Sequence, residues 1–299
     1  MSPVYTKDDL IALKPRHDSF VGVDSDGCVF PTMEIKQKQC FHGLIVSNWK
    51  LEKIEACVRE TAEFVNLYSR HRGQNRFPCL LLTFDLLRDH PGVQASGVAL
   101  PSTVRLKAFI ESGRPLGNPE LERVVAETAD PELAAVLKWS HDVNTAVARV
   151  VRSIRPFKGV KESFDAIAKH SDAICVSQTP TEALVREWDE NALTGYVAVI
   201  AGQELGTKAE HLAMATQGKY PPNRVLMIGD ALGDLRAARA VRARFFPINP
   251  GHEEASWERF HQEAYARFLA GTYGGPYETA LIQHFESLLP ESPPWISRA

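Results

Sequence analysis

Residues 20–30, with the sequence FVGVDSDGCVF, join an apolar run to two closely spaced aspartates. Such a run is typical of a strand buried in a parallel sheet. Because ligands of open α/β sheets bind just beyond the carboxyl ends of the strands, we expect Asp24 and Asp26 at the mouth of a sheet, where Gly27 permits a sharp turn. Carboxylates this close repel each other unless a cation lies between them or one holds a proton. The stretch therefore indicates chemistry or, as the alternative, a strand that ends in an ordinary polar turn.

Beyond Pro156 the sequence alternates between short apolar runs and amphipathic segments, which predicts a parallel sheet covered by helices. The first strand is predicted at about Phe20 to Asp24, and the later strands at Ala173–Val176, Tyr196–Ile200, Arg224–Gly229 and Arg244–Ile248. The predicted helices are Lys161–Lys169, Thr181–Trp188, Lys208–Ala215 and Asp234–Val241, followed by a C-terminal extension with Trp257–Leu269 and Glu278–Leu289.

A block without a convincing strand separates the first strand from the others. Helical spacing of apolar residues predicts helices at Leu51–Arg70, Phe77–Arg88, Ser102–Ser112, Pro119–Thr128 and Pro131–Ile154. We therefore predict an α/β domain formed by residues 1–32 and 152–299, which an all-helical domain of residues 33–151 interrupts.

Composition and charge restrict the class of protein. A net charge of −3 does not supply the basic face that nucleic acids or anionic membranes require. Neither a signal peptide nor a bilayer-spanning apolar run is evident. The five cysteines form no Cys-x-x-Cys pair, which fits free thiols in a reducing compartment. These observations predict a cytoplasmic protein with no nucleic-acid and no membrane partner.

Polar side chains follow several of the predicted strands or begin the helices after them. Parallel strands joined by right-handed crossovers present their carboxyl ends at one edge of the sheet, so these side chains are expected to converge. Taken singly, each has an ordinary explanation, such as a helix cap or a solvated lysine. The residues concerned are Asp24, Asp26, Ser177, Gln178, Lys208, Asp230 and Asp234.

This set of residues resembles the four motifs of the haloacid dehalogenase superfamily of phosphohydrolases. The run at 24–27 resembles the first motif, Ser177 the second, Lys208 the third, and the sequence GDALGD at 229–234 the fourth. The resemblance implies a Rossmann-like three-layer core with a helical cap inserted between the first and second motifs. The predicted helical domain lies at that position, although it is longer than caps of this type usually are.

The resemblance also implies roles for the individual residues. Asp24 would attack a phosphoryl group to give an aspartyl-phosphate, and Asp26 would act as general acid and base. Mg²⁺ would be held by Asp24, Asp230 and the backbone carbonyl of Asp26, and Asp234 would bind it directly or through water. The phosphate would be held by Ser177, by the backbone N–H of Gln178 and by Lys208. The acid at Asp26 favours phosphoester chemistry, since dehalogenases and carbon–phosphorus-cleaving members of the superfamily lack it.

The expected partner is a small phosphorylated metabolite whose identity the sequence does not give. A phosphotransferase or phosphomutase would use the same chemistry, while a non-catalytic binding or scaffold protein and a signalling-type phosphoacceptor are further alternatives. Apolar residues recur at helical spacing near the C-terminus, where they indicate core packing or, alternatively, a homodimer contact. This aromatic stripe consists of Trp257, Phe260, Tyr265 and Phe268.

Candidates for substrate contact lie just past the first motif and in the helical domain. They are Thr32, Glu34, His42, Trp49 and a basic cluster formed by Arg70, His71, Arg72 and Arg76. The favoured interpretation of the basic cluster is an exposed helix C-terminus, where the helix dipole attracts positive charge. Trp49 and Phe41 are interpreted as core residues of the helical domain.

Overall fold

The computed structural model describes residues 4–296 and contains one parallel sheet of five strands. The strands lie in the order β3-β2-β1-β4-β5, so that the first strand of the chain occupies the centre of the sheet. Phe20 pairs with Asp172 on one side and with Val225 on the other. The strands are β1 (Phe20–Val23), β2 (Asp172–Val176), β3 (Ile200–Ala201), β4 (Val225–Gly229) and β5 (Arg244–Pro247).

Helices cover both faces of this sheet. Val21 and Val23 of β1 share a buried cluster with Phe164 and Trp188, which belong to two helices on one face. Gly22 points to the opposite face, where a Cβ atom would lie 2.7 Å from Leu212 Cδ2. This alternation along a strand follows from the β pleat and gives three layers. The predicted α/β class with a parallel sheet is confirmed.

The helices that accompany the sheet agree closely with the predicted segments. In the C-terminal part, the predicted helix Trp257–Leu269 contains a π-helical turn, and its aromatic stripe lies in the core. The α-helices are Lys7–Ile11, Val160–His170, Thr181–Glu190, Lys208–Thr216, Leu232–Ala240, Glu253–Arg259, Tyr265–Leu269 and Pro276–Ser287, and the π-helical turn is Phe260–Ala264. Short 3₁₀ turns occupy Thr194–Tyr196, Gln203–Leu205 and Pro222–Arg224.

The strand predicted at Tyr196–Ile200 is wrong in its bounds. Tyr196 ends a 3₁₀ turn, and the strand itself is only Ile200–Ala201. Ala198 N–H still donates to the Ala173 carbonyl at 2.8 Å, so the segment runs beside β2 without regular pairing. An edge strand needs to satisfy only one neighbour, which explains why a short and irregular pairing suffices here.

The described residues form two compact units. The sheet unit contains residues 4–33 and Ser153–Leu288, and the helical unit contains Glu34–Arg152 and residues 289–296. The sequence-based division placed 289–296 with the sheet, whereas Trp295 packs against Phe64 of the helical unit with ring centroids 5.9 Å apart. The predicted domains also include residues 1–3 and 297–299, which lie outside the described residues.

The helical unit has a core of its own, centred on Trp139 and Phe84. Trp49 contacts both rings, at centroid distances of 6.1 Å and 5.1 Å, which confirms its interpretation as a core residue. The helices, the first of which begins at the boundary, are Thr32–Lys36, His42–Trp49, Glu55–Leu67, Arg76–Arg88, Pro91–Ser96, Val104–Glu111, Asn118–Thr128 and Pro131–Val150, with a π-helical turn at Gln37–Phe41 and a 3₁₀ turn at Glu52–Ile54. Within residues 4–296, no helix is both long enough and apolar enough to cross a membrane.

Candidate active site

Asp24 directly follows β1, at the edge of the sheet that the carboxyl ends of the strands form. Its backbone N–H donates to the Ile228 carbonyl of the neighbouring strand at 2.9 Å, so the residue extends the strand pairing. The chain then turns at Gly27, whose φ of 78° lies in the left-handed region that favours glycine. Ser25 N–H donates to Asp24 Oδ1 at 2.8 Å. The turn thereby fixes one oxygen of the Asp24 carboxylate.

Lys208 begins the helix Lys208–Thr216 and reaches two of the predicted aspartates. Thr207 caps this helix and forms a capping box with Glu210, which fixes where the helix starts. Lys208 Nζ lies 2.8 Å from Asp24 Oδ2 and 2.6 Å from Asp234 Oδ1. The lysine therefore connects the end of β1 to the first turn of the helix Leu232–Ala240 rather than pointing to solvent.

Three aspartates converge beside this lysine. Asp24, Asp230 and Asp234 each offer an oxygen, and these oxygens lie within 4.8 Å of one another. Their side chains are almost completely buried, with exposures of 4%, 0% and 0%. Asp234 Oδ2 also accepts from the Ala231 N–H at 3.0 Å, which orients its second oxygen. Asp24 and Asp234, both buried, share the single ammonium of Lys208, so this part of the cluster favours an additional cation or a bound proton.

The electrostatics of the cluster follow from its burial. Burial raises the pKa of Asp24 well above its usual value, and Asp234 and Asp230 push the pKa in the same direction, against Lys208. Burial disfavours the charged form of Lys208, but Asp234 and Asp24 outweigh it and raise the pKa of the ammonium above its usual value. The shift of the Lys208 pKa favours its charged form, while the shift of the Asp24 pKa favours the neutral acid.

Asp26 has a different environment, which the sequence does not predict. Its Oδ1 accepts from the Thr32 hydroxyl, and its Oδ2 accepts from the Thr179 hydroxyl at 2.6 Å. Thr32 is a candidate for substrate contact, and in the structure its hydroxyl donates to the Asp26 carboxylate. The only sequence signal for Thr179 is its place two residues after Ser177 in the loop that follows β2.

Ser177 and Gln178 lie in the same loop. Ser177 is buried, and its Oγ accepts from the Thr179 N–H at 3.2 Å, as the cap interpretation expects. Gln178 donates from its side chain to the Gly206 carbonyl at 2.9 Å. The structure thus links this loop to Asp26 through Thr179. It brings Lys208 to Asp24, which follows β1, and to Asp234, which lies beyond β4.

Two of the candidates in the helical unit lie within its internal packing. His42 is buried, and burial followed by the charges of Arg59 and Lys38 lowers its pKa to about 4. Glu34 accepts from the Tyr68 hydroxyl and from Lys38 Nζ, the latter at 3.2 Å. These side chains therefore participate in the internal packing of the unit.

The exposed helix C-terminus expected for the basic cluster holds for Arg70, whose side chain is 55% exposed just beyond the helix end. It does not hold for Arg72 and Arg76. The preceding helix ends at Leu67, and Arg72 is 2% exposed with Nη1 2.9 Å from the Leu67 carbonyl. Arg76 begins the next helix, and its Nη1 donates to Ser140 Oγ at 2.9 Å. The attraction of a cation to helix-terminal carbonyls holds for Arg72, but burial adds packing roles that the sequence pattern does not reveal.

The fold and the site together define a class of α/β protein in which the strand ends of a parallel sheet hold a buried cluster of carboxylates and a lysine. No protein-family model matches this chain, and no curated protein matches it.

Among solved structures, the chain is similar to a putative phosphoglycolate phosphatase from Lactobacillus delbrueckii subsp. bulgaricus, with 14% identity over 87% of this chain and 100% of that one and a TM-score of 0.48. A haloacid dehalogenase family hydrolase from Deinococcus radiodurans, solved with bound phosphate and sodium, shows 14% identity over 92% and 99% of the two chains and a TM-score of 0.46. A haloacid dehalogenase-like hydrolase from Streptococcus pneumoniae shows 14% identity over 82% and 91%, with a TM-score of 0.41. At this identity the resemblance concerns the backbone and not the chemistry of the site.

Proposed function

We propose that this chain is a haloacid dehalogenase-like phosphohydrolase that releases phosphate from a small phosphorylated metabolite with the help of Mg²⁺. The observation that carries the proposal is the buried cluster of Asp24, Asp230, Asp234 and Lys208 at the carboxyl edge of the sheet. Asp26 lies two residues beyond Asp24. Its carboxylate accepts hydrogen bonds from two threonines and is not a member of that cluster. A nucleophile and a separate proton carrier are the two groups that phosphoester hydrolysis through a covalent intermediate requires.

The donor set fits a hard divalent cation. Oxygen atoms of Asp24, Asp230 and Asp234 would hold the ion, together with the backbone carbonyl of Asp26 as the resemblance implies. Mg²⁺ prefers carboxylate oxygens, and water and substrate phosphate commonly complete its coordination shell. When bound, it supplies the positive charge that allows a carboxylate to approach a phosphate dianion. The sharing of one lysine by the two buried carboxylates of Asp24 and Asp234 supports this assignment.

Asp24 would carry the covalent step. One of its oxygens bonds to phosphorus while the bond from phosphorus to the leaving oxygen breaks, and Asp26 donates a proton to that oxygen. Water then attacks the phosphorus of the aspartyl-phosphate and gives its proton to Asp26. Phosphate leaves, Asp24 is regenerated, and both residues return to their starting states.

Lys208, Ser177 and Gln178 would hold the phosphoryl oxygens. Lys208 is charged and already contacts Asp24 at 2.8 Å, so its ammonium lies beside the atom that becomes phosphorylated. The Ser177 hydroxyl and the Gln178 N–H follow β2 at the same edge of the sheet. Fixed donors of this kind stabilise charge that develops in the transition state. A cytoplasmic location and the metabolite as partner belong to the same proposal.

Phosphate release from p-nitrophenyl phosphate and from a panel of metabolite phosphoesters tests this function, with Mg²⁺ and with chelator. Wild type should release phosphate only with Mg²⁺, and Asp24→Asn should lower the rate by about 10³-fold or more because the nucleophile is lost. Asp165→Asn, the same change at an exposed carboxylate of the sheet unit, is the control and should leave the rate unchanged.

Mg²⁺ binding has a readout that does not need a substrate. At 100 times its Kd, the ion should raise the free energy of unfolding of wild type by about 2.7 kcal/mol, and Asp230→Asn should abolish that gain. Unchanged turnover in Asp24→Asn contradicts the proposal, as does the absence of release from every phosphoester. Transfer of the phosphoryl group to an acceptor without free phosphate identifies a phosphotransferase instead.

A further inference from the structure

The carboxylate of Asp26 is held at both of its oxygens by hydroxyl groups from two separate segments of the sheet unit. Thr32, which is fully buried, donates to Oδ1 from the first residue of the helix Thr32–Lys36. Thr179 donates to Oδ2 at 2.6 Å from the loop after β2. One contact leaves a carboxylate free to rotate about its Cβ–Cγ bond, whereas contacts on both oxygens fix the plane of the group.

The backbone on each side of Thr179 is itself fixed. Its N–H donates to Ser177 Oγ at 3.2 Å, and its carbonyl accepts from the Gln203 N–H at 3.1 Å. Gly202 passes so close that a Cβ atom there would lie 2.7 Å from the Thr179 carbonyl oxygen. The threonine therefore presents its hydroxyl from a loop segment that has little room to move.

We propose that Thr32 and Thr179 are positioning residues that hold the Asp26 carboxylate in the orientation required for proton transfer. This inference rests on the proposed phosphohydrolase function. Each carboxylate oxygen has two lone pairs, so a threonine hydroxyl can donate to one of them while the other carries the proton that Asp26 transfers. The pair therefore supports Asp26 both when it is protonated, before the leaving oxygen takes the proton, and when it is ionised, before water returns one.

The loss of rate on removing either threonine hydroxyl depends on the leaving group of the substrate. A p-nitrophenolate leaves with little help from an acid, whereas an alkoxide needs a proton as its bond to phosphorus breaks. Misorientation of Asp26 should therefore slow alkyl phosphates strongly and p-nitrophenyl phosphate weakly. Loss of a purely structural contact would slow both substrates equally.

Valine and serine substitutions at the two positions provide the test. Thr179→Val and Thr32→Val remove the hydroxyl at nearly constant size, and Thr179→Ser and Thr32→Ser retain it. Thr181→Val is the matched control, since its hydroxyl lies two residues further on and binds Glu204 at 2.8 Å. The kcat and KM of each variant are measured for p-nitrophenyl phosphate and for the best alkyl phosphate of the panel.

We expect each valine variant to lower kcat for the alkyl phosphate by about 10- to 100-fold, a part of the range that general acid–base catalysis spans. The kcat for p-nitrophenyl phosphate should change by less than about 3-fold, KM should stay constant, and the serine variants should recover most of the alkyl activity. Thr181→Val should behave like wild type. Thermal unfolding of every variant checks its fold, and Thr179→Ala and Thr32→Ala replace a valine variant that does not fold.

The two levels of the proposal fail in different ways. If wild type releases phosphate from no substrate, the phosphohydrolase function fails and the positioning role fails with it. If wild type is active and Asp26→Asn selectively loses alkyl substrates while the valine variants keep the wild-type ratio, only the positioning role is overturned. Equal losses on both substrates, or no recovery with serine, overturn it as well.

Discussion

Gly229 and Asp234 show how closely the backbone and a site side chain approach each other. Gly229 is the last residue of β4, and a Cβ atom on it would lie 2.4 Å from both Cβ and Cγ of Asp234. Real Cβ atoms do not approach other carbons this closely, so an added methyl group would displace the aspartate. Asp234 also holds Lys208 at 2.6 Å. The absence of a side chain at 229 therefore permits the cluster to form.

Gly229→Ala should lower both stability and activity for this reason. Overpacking of a buried site costs about 1–3 kcal/mol, and the displaced carboxylate should weaken the Mg²⁺-dependent rise in unfolding free energy. Gly233→Ala is a matched control, because its Cβ would meet only Arg236 Nη2 at 3.9 Å and it lies in a helix, where alanine is favoured. Chemical unfolding with and without Mg²⁺ measures both variants, and equal behaviour of the two would contradict the steric argument.

At the scale of the element, Asp172 connects the start of β2 to the segment before β1. Its carboxylate is 1% exposed and accepts from the backbone N–H groups of Arg16 and His17 at 2.8 and 3.0 Å and from the Tyr220 hydroxyl at 2.8 Å. Burial alone would raise the pKa of Asp172, but these hydrogen bonds together with the Arg16 side chain bring it below its usual value. The strand start is therefore held by an ionised carboxylate.

The depressed pKa fixes the sign of a pH effect on stability. Because the folded pKa of Asp172 lies below the unfolded value of about 3.9, its contribution is complete above that pH and is lost as the pH falls through the folded pKa. Asp172→Asn should lower the free energy of unfolding by about 1–3 kcal/mol at pH 7, because the donors at Oδ2 lose a charged acceptor and an amide nitrogen cannot accept from Arg16 Nε. The difference in unfolding free energy between Asp172→Asn and wild type should narrow below about pH 4.

Urea unfolding between pH 3 and pH 7 measures this effect. Asp189→Asn, at an exposed carboxylate of the sheet unit, is the control and should change the free energy of unfolding by less than about 0.5 kcal/mol. A difference between Asp172→Asn and wild type that stays constant across the pH range would show that ionisation of this carboxylate does not contribute.

Periodicity predicted most helices of both units within a few residues, because their apolar residues recur on one face. It did not predict His42–Trp49, where Gly43 and the preceding π-helical turn at Gln37–Phe41 interrupt the spacing. The strand near Tyr196 was placed too early, since apolar character alone does not distinguish a strand from an irregular segment beside one. Elements that depend on tertiary packing are the ones that local pattern misses.

The contacts of the candidate site also differ in whether the sequence can predict them. The convergence of Asp24, Lys208, Asp230 and Asp234 follows from strand topology, because parallel strands end at one edge of a sheet. The hydroxyl contacts of Asp26 arise instead where the segment after β1 meets the loop after β2, and no spacing rule connects those segments. Side-chain networks between loops therefore require the structure.

At the scale of the whole molecule, each compact unit has a hydrophobic core made from its own residues. The core of the sheet unit includes Trp257 and Trp188, both fully buried, together with aliphatic residues of the strands. The core of the helical unit includes Trp139, which is 1% exposed and contacts Phe41 with ring centroids 5.8 Å apart. Because each core is built from one unit, a cavity in either should act mainly on that unit.

Trp139→Ala should therefore destabilise the helical unit selectively. Removal of a buried tryptophan costs about 3–5 kcal/mol, and amide hydrogen exchange should accelerate in Pro131–Val150, which carries Trp139, and in His42–Trp49, whose Trp49 ring contacts it. Strands β1 and β4 should retain their protection. Trp257→Ala is the reciprocal variant, which should expose the strands and leave the two helices protected. Exchange followed by mass spectrometry reads both patterns in the full chain, and a loss of protection spread evenly over both units in either variant would show that the two cores unfold as one.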